Sequence, residues 1–468
     1  MHHLPLKTST SLPLSSTKCL PSCVHAQHTI ATKIPDNITV RRSANYTPSK
    51  WSHDFVASLK NENAGEPYTT RVNKLKEEVK MMLESATNPL DQLEIIDALQ
   101  RLGVAYHFED QIETKLRSIY NDIINKQRWA ILEEAQKFSS KNLKAYLKKE
   151  NNSSTSGDDA KNYHLNMARH ALELPLHWRM QRLDARWFID VYENSPDMKP
   201  ILLEHAKLDF NMVQAVHQQD LKHASSWWKG TGLGEKLAFV RARPMEVFLW
   251  TVGGVFEPQY GYFRRNLSQV GALITVIDDI YDVYSTLDEV ELFTEAVTSS
   301  VSWIYTKSTR IFAWVSIAAP LLLVHAYFAV PNHITKEASE CILDYPNIVK
   351  WSSLIGRLPD DLGTSKHEQK RGDNPKSIEC YMHESGASEA AAREHIHYLI
   401  SEAWKKINEY QIGNTAVFSQ TFIRMAMNLA RMSQCIYQHE DGFGAQNLQT
   451  KNRVISLLVE PVSLASKD

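Results

Sequence analysis

Apolar residues recur at steps of three and four along most of the chain, beginning at about Pro67. One example is the set Ile112, Leu116, Ile119 and Ile123. Such steps place the side chains on one stripe of a helix. No alternating strand pattern and no internal repeat is visible. The pattern therefore predicts an all-α protein.

Breaks in this periodicity divide the helical part of the chain. Residues 150–159 (ENNSSTSGDD) have the composition of a surface loop. Helical signals resume at Asn162 and continue nearly to the C-terminus, with short breaks at prolines such as Pro196. A chain of 468 residues is long enough for two domains and an internal pocket. We predict two helical domains, at residues 41–195 and 196–468.

The first 35 residues differ in composition from the rest of the chain. They contain no Asp or Glu, ten Ser or Thr, and the basic residues Lys7, Lys18 and Lys33. Such a segment cannot bury a core. We predict an organelle transit segment at residues 1–40, with a disordered tail as the alternative.

The bulk composition argues against several classes of protein. The formal net charge of −2 gives no basic excess for binding nucleic acid. The five cysteines lack paired spacing, which argues against a disulfide framework or a zinc site; they are Cys19, Cys23, Cys341, Cys380 and Cys435. No apolar stretch approaches the roughly 18 to 20 residues of a membrane span. We therefore expect a soluble protein in a reducing compartment.

Three carboxylates follow a nearly continuous apolar run in GALITVIDDIYDVY, residues 271–284. Asp278 and Asp282 are four residues apart and share a helix face, where their oxygens can converge on a hard cation such as Mg²⁺. An acidic pair is often only a solvated helix face. Here the apolar flanks indicate a buried helix, and buried carboxylates, Asp279 included, need a metal or a cationic partner.

A second set of oxygen ligands follows in DDLGTSKHE, residues 360–368. Asp360, Thr364 and Glu368 recur every four residues, which drifts only about 40° per step around a helix. The alternative is an exposed polar helix. Together the two motifs predict a two-sided Mg²⁺ site whose substrate is polyanionic, and diphosphate fits that description. Basic candidates for its binding are Arg241, Arg243, Arg357 and Lys376, although exposed basic residues are often only solvated surface.

Taken in order, these motifs resemble those of plant terpene synthases. The tandem Arg41-Arg42 is followed after eight residues by Trp51. Then come LQRLGVAYHF (99–108), LELPLHWR (172–179), RAR (241–243), DDIYD (278–282) and DDLGTSKHE (360–368). The similarity runs from about Arg41 to the C-terminus and is greatest to limonene-type monoterpene cyclases.

The resemblance implies a fold and an activity. It implies a relictual, α-barrel-like N-terminal domain and a C-terminal domain of the class I terpenoid synthase fold, with three bound Mg²⁺ and Mn²⁺ as the alternative ion. It also implies a monomeric plastid enzyme that converts geranyl diphosphate to a cyclic monoterpene, such as limonene or terpineol, and diphosphate.

The same resemblance implies the role of each site residue. The metal ligands are Asp278, Asp279, Asp282, Asp360, Thr364 and Glu368; the diphosphate contacts are Arg241, Arg243, Arg357 and Lys376. Arg41 and Arg42 match the pair linked to isomerisation of geranyl to linalyl diphosphate. Trp250 matches an aromatic position suited to carbocations. Tyr437 matches a position near the final step, but Phe443 stands where some relatives use a histidine, so the terminating base stays open.

Two departures from the family pattern affect these expectations. Helix-forming chain is missing between about Asn121 and Ile131 and after about Ala296. Residues 283–359 can form only about three or four helices of roughly 30 Å each, at 1.5 Å per residue. We therefore expect an incomplete C-terminal fold, an opened pocket and reduced activity. In addition, proline is tolerated in the first turn of a helix but disrupts its interior, so either a helix begins at Pro359 or the second motif is distorted.

Three alternatives stay open at this stage. One is a sesquiterpene synthase acting on farnesyl diphosphate, which the acid-free leader and Arg41-Arg42 disfavour. Another is a prenyl chain-elongating transferase, which Thr364 in the second motif argues against. The third is a catalytically silent helical protein that still binds Mg²⁺ and diphosphate, which the internal gaps favour.

Overall fold

The computed structural model describes residues 41–63, 65–123, 129–151, 159–300, 317–330, 334–372, 374–413 and 417–464. The predicted transit segment and most of the predicted loop at residues 150–159 lie outside these ranges. Every regular element in the described part is helical, which confirms the all-α prediction. Residues 41–468 form one compact unit, and the domain boundary at residue 195 stays a prediction.

The α-helices of the described residues follow one another closely along the chain. They are α1 (His53–Ser58), α2 (Glu66–Ser85), α3 (Pro89–Arg101), α4 (Glu109–Ile123), α5 (Trp129–Asn151), α6 (Asp159–Glu173), α7 (Gln181–Tyr192), α8 (Pro200–Thr231), α9 (Leu233–Lys236), α10 (Pro244–Gly254), α11 (Gly261–Asp279), α12 (Leu287–Ser300), α13 (Ala319–Ala329), α14 (Lys336–Leu343), α15 (Asn347–Arg371), α16 (Ser377–Ser385), α17 (Glu389–Gly413), α18 (Gln420–Ile436) and α19 (Leu448–Val454). None of them is long and apolar enough to cross a membrane.

Helix α8 joins the N-terminal helices to the rest of the protein. It starts with Pro200, whose missing N–H is harmless in the first turn, and ends at Gly232 in the left-handed conformation (φ 65°). Helices α1, α2 and α7 pack on it from the N-terminal side, and α10 and α11 pack on it from the C-terminal side. A helix contacted on so many sides is mostly buried, as α8 is.

Five helices of the C-terminal part form a closed ring. Within the described residues, α10 packs on α11, α11 on α13, α13 on α15, α15 on α18, and α18 on α10. At one end of the ring, Tyr327 of α13 meets Phe418 and Phe422, near the start of α18, edge-on. Tyr437, which follows α18, lies about 20 Å from Phe422 along the helix axis. We call the aromatic end of this ring near Phe418 and Phe422 the floor, where α13 also packs on α18, and the end near Tyr437 the mouth.

Helix α15 continues through Pro359, so the alternative that a helix begins there is wrong. Pro359 cannot donate a hydrogen bond to the Ile355 carbonyl, and an interior proline costs about 3 kcal/mol. The flanking residues Ile355 and Leu358 are buried, and this packing holds the helix together. The described part of residues 283–359 contains α12, α13, α14 and the first half of α15, each shorter than the roughly 30 Å expected. Residues 124–128 and 301–316, where the predicted gaps fall, lie outside the described part.

Candidate active site

The first acidic motif lies where α11 ends. Asp279 is the last residue of α11, and Asp282 lies in a π-helical turn over Ile280–Tyr284. The Ser285 N–H donates to the Ile280 carbonyl at 3.0 Å and closes this wider turn, a geometry frequent at functional sites. Asp278 and Asp282 are exposed, whereas Asp279 is fully buried. Two of the three carboxylates are thus accessible to a ligand from solvent.

Arg241 binds two carboxylates of this motif. Its backbone N–H donates to Asp279 Oδ2 at 2.6 Å, and its Nε lies 2.7 Å from Asp279 Oδ1. One guanidinium N–H donates to Asp278. Burial lowers the pKa of Arg241, but the charges of Asp279 and Asp278 outweigh burial and raise that pKa above its ordinary value. Burial also raises the pKa of Asp279, against the effect of Arg241.

Two aromatic rings lie against the Arg241 guanidinium. The guanidinium carbon is 4.8 Å from the centroid of Tyr46 and 5.8 Å from that of Phe443. Both distances are within cation–π range. Phe443, at the position where the resemblance implies a histidine in some relatives, therefore contacts Arg241, which is predicted to bind diphosphate. No local pattern in the sequence indicates this contact.

The second motif lies in the C-terminal half of α15, and Glu368 is three residues from the end of the helix. The Thr364 hydroxyl donates to the Asp360 carbonyl at 2.9 Å, and Lys376 Nζ lies 3.5 Å from Glu368 Oε1. Arg357 lies 3.3 Å from both Asp360 Oδ2 and Asp361 Oδ1. Two predicted basic residues therefore contact this motif.

Asp361 belongs to the same group, although the sequence analysis did not select it. Its Oδ2 accepts a hydrogen bond from the Ser377 N–H at 3.1 Å and so ties α15 to the start of α16. The signal was present in the sequence, since Asp361 is the second aspartate of DDLGTSKHE.

Tyr437 connects the two motifs. It packs against Gly363 of the second motif, and the charges of Asp360 and of Arg241, the partner of the first motif, both act on the pKa of its hydroxyl. Burial and the charges of Asp360 and Asp441 raise the pKa of Tyr437 well above its ordinary value, so the hydroxyl stays protonated. Burial raises the pKa of Asp360 to about 7, and Arg357 opposes this effect. The two motifs therefore share one neighbourhood at the mouth of the helix ring.

Residues 41–49, an irregular segment before α1 that we call the N-terminal strand although it is not a β-strand, cross this mouth. Arg41 donates two hydrogen bonds of 2.7 Å to Glu289 of α12, and Arg42 donates to the Asp282 carbonyl at 3.4 Å. The Arg41 guanidinium also lies 4.5 Å from the Tyr284 ring centroid. A cavity of about 550 Å³, lined by Arg41, Phe239, Tyr284 and Glu289 among others, opens beside the strand. Arg41 and Arg42 thus reach the first motif, and Glu289 is a partner that the sequence analysis missed.

Arg243 and Trp250 lie further from the carboxylates. Arg243 is almost fully buried and donates to the carbonyls of Thr47 (2.9 Å) and Gly444 (3.4 Å), so it ties the N-terminal strand to the loop after α18. Burial lowers its pKa. Trp250, on α10, lies with its ring centroid 6.4 Å from that of Tyr437. The roles predicted for both residues stay predictions.

The donor chemistry of the two motifs fits Mg²⁺. All six predicted ligands carry hard oxygen atoms, which Mg²⁺ prefers. Glu368 Oε2 is buried and has no hydrogen-bond partner in the described structure, so this oxygen is available to a cation. No three His, Cys, Asp or Glu side chains of the described residues are already grouped as a metal site. The ligands are therefore suitable for Mg²⁺ but are not preassembled.

Two models of one protein family match the chain. Residues 50–130 match the model described as terpene synthase, N-terminal domain. Residues 229–303 and 310–406 match the model described as terpene synthase family, metal binding domain. The break in the second match falls between α12 and α13, where the sequence analysis predicted missing chain.

Individual proteins are similar along nearly the whole chain. Chloroplastic myrcene synthase of Quercus ilex is 44% identical over 91% of this chain and 90% of its own. (−)-α-Terpineol synthase of Vitis vinifera is 44% identical over 99% of this chain and 98% of its own. These alignments extend over 551 and 580 positions, more than the 468 residues here, so both relatives contain residues that this chain lacks.

Solved structures show the same similarity. Limonene synthase with 2-fluorolinalyl diphosphate superposes with a TM-score of 0.81 at 31% identity, over 91% of this chain and 100% of that one. Isoprene synthase from grey poplar, in complex with three Mg²⁺ ions and dimethylallyl-S-thiolodiphosphate, superposes with a TM-score of 0.74 at 31% identity, over 89% and 99% of the two chains.

Proposed function

Because the chain belongs to the plant terpene synthase family and is a monoterpene-synthase-like lyase acting on diphosphates, we propose that it converts geranyl diphosphate to a cyclic monoterpene, such as limonene or terpineol, and diphosphate. One observation carries this proposal. The loop after α18 lies between the two oxygen-rich motifs: Gly363 of the second motif lies against Tyr437, and Arg241, which is paired with the first motif, lies 5.8 Å from the Phe443 ring centroid.

The six side chains proposed to hold Mg²⁺ are Asp278, Asp279, Asp282, Asp360, Thr364 and Glu368. Asp279 is the least accessible, because Arg241 covers it. When bound, three Mg²⁺ ions, or Mn²⁺ in their place, would neutralise charge that develops on the departing diphosphate.

The basic residues neutralise the diphosphate from the protein side. Arg241, Arg357 and Lys376 are paired with the motif carboxylates. When these carboxylates bind metal cations instead, the guanidinium and ammonium groups can form ion pairs with a polyanion. Arg243 holds the surrounding loops. Arg41 and Arg42, close to Asp282, are placed to keep the leaving group near during isomerisation to linalyl diphosphate.

The apolar residues of the ring guide the carbocation. Trp250 presents an aromatic face to positive charge. Burial and the charge of Asp360 keep the Tyr437 hydroxyl protonated, and we place this hydroxyl near the site of the final step. The base that ends the reaction is not assigned.

The direct test is product analysis with the full-length protein. Geranyl and farnesyl diphosphate are supplied separately with MgCl₂, and volatile products are identified by gas chromatography with mass spectrometry. We expect cyclic monoterpenes and faster turnover of geranyl diphosphate. Asp278→Asn and Glu368→Gln should each reduce kcat by about 10²–10³-fold. Asp288→Asn, an exposed change on α12, is the matched control.

The internal gaps favour one other function, a silent protein that binds Mg²⁺ and diphosphate. In that case diphosphate with MgCl₂ would raise the melting temperature, and no volatile product would form. Preferential turnover of farnesyl diphosphate would instead indicate a sesquiterpene synthase.

We also propose that residues 1–40 direct the protein to the plastid, as the chloroplastic relatives suggest. A fluorescent protein fused to these residues should accumulate in plastids of a leaf cell. Fluorescence in the cytosol would contradict this proposal.

A further inference from the structure

Three side chains from distant parts of the chain form one stack beside the first motif. The ring of Phe239 lies parallel to that of Tyr284, with a centroid distance of 3.7 Å and an interplanar angle of 3°. The Arg41 guanidinium carbon lies 4.5 Å from the Tyr284 centroid. Phe239 covers one face of Tyr284, so the guanidinium lies over the opposite face. The Tyr284 ring is thus held between an aromatic ring and a cation.

Each member of the stack belongs to an element that the proposed function places around the diphosphate. Phe239 comes two residues before Arg241, which pairs with the carboxylates of the first motif. Tyr284 is the last residue of the π-helical turn that contains part of this motif. Arg41 is the first residue of the N-terminal strand. One stack therefore ties together three elements that are separate in the sequence.

The polar contacts of Arg41 are exposed. Arg41 and Glu289 form an ion pair whose side chains are 31% and 44% exposed, and salt screens such pairs. A further hydrogen bond, from Arg41 to the Tyr284 carbonyl, is long at 3.4 Å. An aromatic ring attracts a cation to its face, so a ring that is itself fixed by stacking determines where the guanidinium lies. The Tyr284 ring therefore adds to the placement of Arg41 that the ion pair gives.

We propose, on the basis of the proposed function, that Tyr284, supported by Phe239, is a positioning residue for Arg41 during isomerisation of geranyl to linalyl diphosphate. In this step the C–O bond at the primary carbon breaks, and its electron pair leaves with the diphosphate. The same diphosphate then forms a C–O bond to the tertiary carbon of the allylic cation. Arg41 keeps the diphosphate beside the cation between these two events, and the Tyr284 ring keeps Arg41 in place.

Retention of the diphosphate decides between cyclic and acyclic products. A diphosphate that is held beside the cation recombines with it in an effectively unimolecular step. Linalyl diphosphate can then rotate about the former double bond, which the trans geranyl cation cannot do, and ring closure follows. If the diphosphate escapes first, the cation loses a proton from carbon to the diphosphate, and an acyclic hydrocarbon results. A loosened stack should therefore increase acyclic products at the expense of cyclic ones.

Two substrates separate the placement of Arg41 from general damage to the site. The full-length Tyr284→Leu protein is incubated with MgCl₂ and either geranyl or linalyl diphosphate, and volatile products are identified by gas chromatography with mass spectrometry. With geranyl diphosphate, we expect the ratio of cyclic to acyclic products to fall by about two- to fivefold, the effect of losing one exposed cation–π contact. With linalyl diphosphate, which needs no isomerisation, the ratio should stay at the wild-type value.

The product ratio does not depend on how much of the variant is folded. Equal falls with both substrates would assign Tyr284 to the shape of the pocket and would overturn the inference. An unchanged ratio with geranyl diphosphate would also overturn the inference and leave the proposed function intact. If the wild-type protein gives no cyclic product from geranyl diphosphate, the proposed function itself is overturned, and the inference with it.

Matched variants identify the part of Tyr284 that matters. Tyr284→Phe keeps the ring and should keep the wild-type ratio, whereas Phe239→Leu removes the supporting ring and should lower the ratio. Tyr262→Leu, at a 68% exposed position at the start of α11, is the control and should leave the ratio unchanged. A lower ratio in Tyr284→Phe would show that the hydroxyl and not the ring carries the effect, which would overturn the inference.

A double variant shows whether Tyr284 acts through Arg41. Arg41→Gln alone should lower the ratio at least as far as Tyr284→Leu does. Adding Tyr284→Leu to Arg41→Gln should then have no further effect, because the contact between the two side chains is already absent. Independent effects of the two changes would contradict a role of Tyr284 in placing Arg41.

Discussion

The two acidic motifs, which we propose serve one site, are held by different forces. The second motif lies inside a 25-residue helix that packs on α17 and α18, so backbone hydrogen bonds and core contacts fix its register. The first motif lies at a helix end, in a π-helical turn, and is held by Arg241 and the N-terminal strand. One motif is therefore positioned by its own helix, and the other by ion pairs with distant residues.

This difference predicts unequal responses to change. Removing the partner of a buried charge lowers the free energy of unfolding by several kcal/mol. A local change inside a packed helix alters that free energy by a smaller and more predictable amount.

The largest effect is expected for Arg241→Met. This change leaves the buried Asp279 without its guanidinium, and we expect the free energy of unfolding to fall by about 3–5 kcal/mol. Urea denaturation followed by circular dichroism measures it. Arg186→Met breaks an exposed pair with Asp190 and should cost less than about 1 kcal/mol.

A double variant shows whether the buried charge is the cause. Adding Asp279→Asn to Arg241→Met removes the unpaired carboxylate and should recover at least half of the loss. If the double variant is as unstable as the single one, packing and not charge explains the effect. The proposed contrast between the motifs would then be lost.

In the second motif, Pro359→Ala should stabilise the protein. Alanine restores the hydrogen bond to the Ile355 carbonyl inside α15, and we expect a gain of about 2 kcal/mol, because some buried surface of the proline ring is lost. Gly356→Ala, in the same helix, is a matched control. Its added Cβ meets Ala319 Cβ at 3.6 Å, an ordinary contact, and should add up to about 1 kcal/mol. Lower stability of Pro359→Ala would mean that the proline supports this helix.

Ligand binding should order the first motif more than the second. We expect MgCl₂ with diphosphate to slow amide hydrogen exchange about tenfold at residues 278–284, and less than about twofold at residues 360–368, where helix bonds already protect the amides. Exchange is measured by mass spectrometry on peptides from both motifs. Equal slowing of both would show that they are equally ordered beforehand.

Sequence reasoning found what local spacing encodes. The periodicity predicted an all-helical protein, and the four-residue steps selected Asp360, Thr364 and Glu368, which lie on one helix. It also associated Arg357 and Lys376 with that motif, and both contact its carboxylates. These contacts join residues at most about two dozen positions apart. Over that distance, the regular repeat of a helix determines which side chains share a face.

Sequence reasoning missed what depends on packing between distant segments. Glu289 pairs with Arg41 across 248 positions, and no local pattern relates them. The burial of Asp279 under Arg241 depends on how the RAR loop meets α11. Sequence alone left open whether a helix begins at Pro359, because propensity favours a helix start at proline, whereas buried neighbours keep Pro359 inside α15.

The smallest effect is expected where the first motif meets the N-terminal strand. Arg41 and Glu289 form an exposed pair, and the Arg41 hydrogen bond lowers the pKa of Glu289 to about 2. A carboxyl whose pKa is lowered on folding adds stability above its unfolded pKa, and this contribution is lost as the pH falls from about 4.5 through 2. At neutral pH the pair is intact, and salt screens it.

We therefore expect Glu289→Gln to leave the melting temperature nearly unchanged. The same change should speed proteolytic cleavage of the N-terminal strand after Arg41 or Arg42 by a few-fold, as added salt should do for the wild-type protein. Glu291→Gln on the same helix should not change the cleavage rate, and a rate insensitive to both salt and Glu289→Gln would show that the strand is held by its contacts at Tyr46 and Thr47 instead.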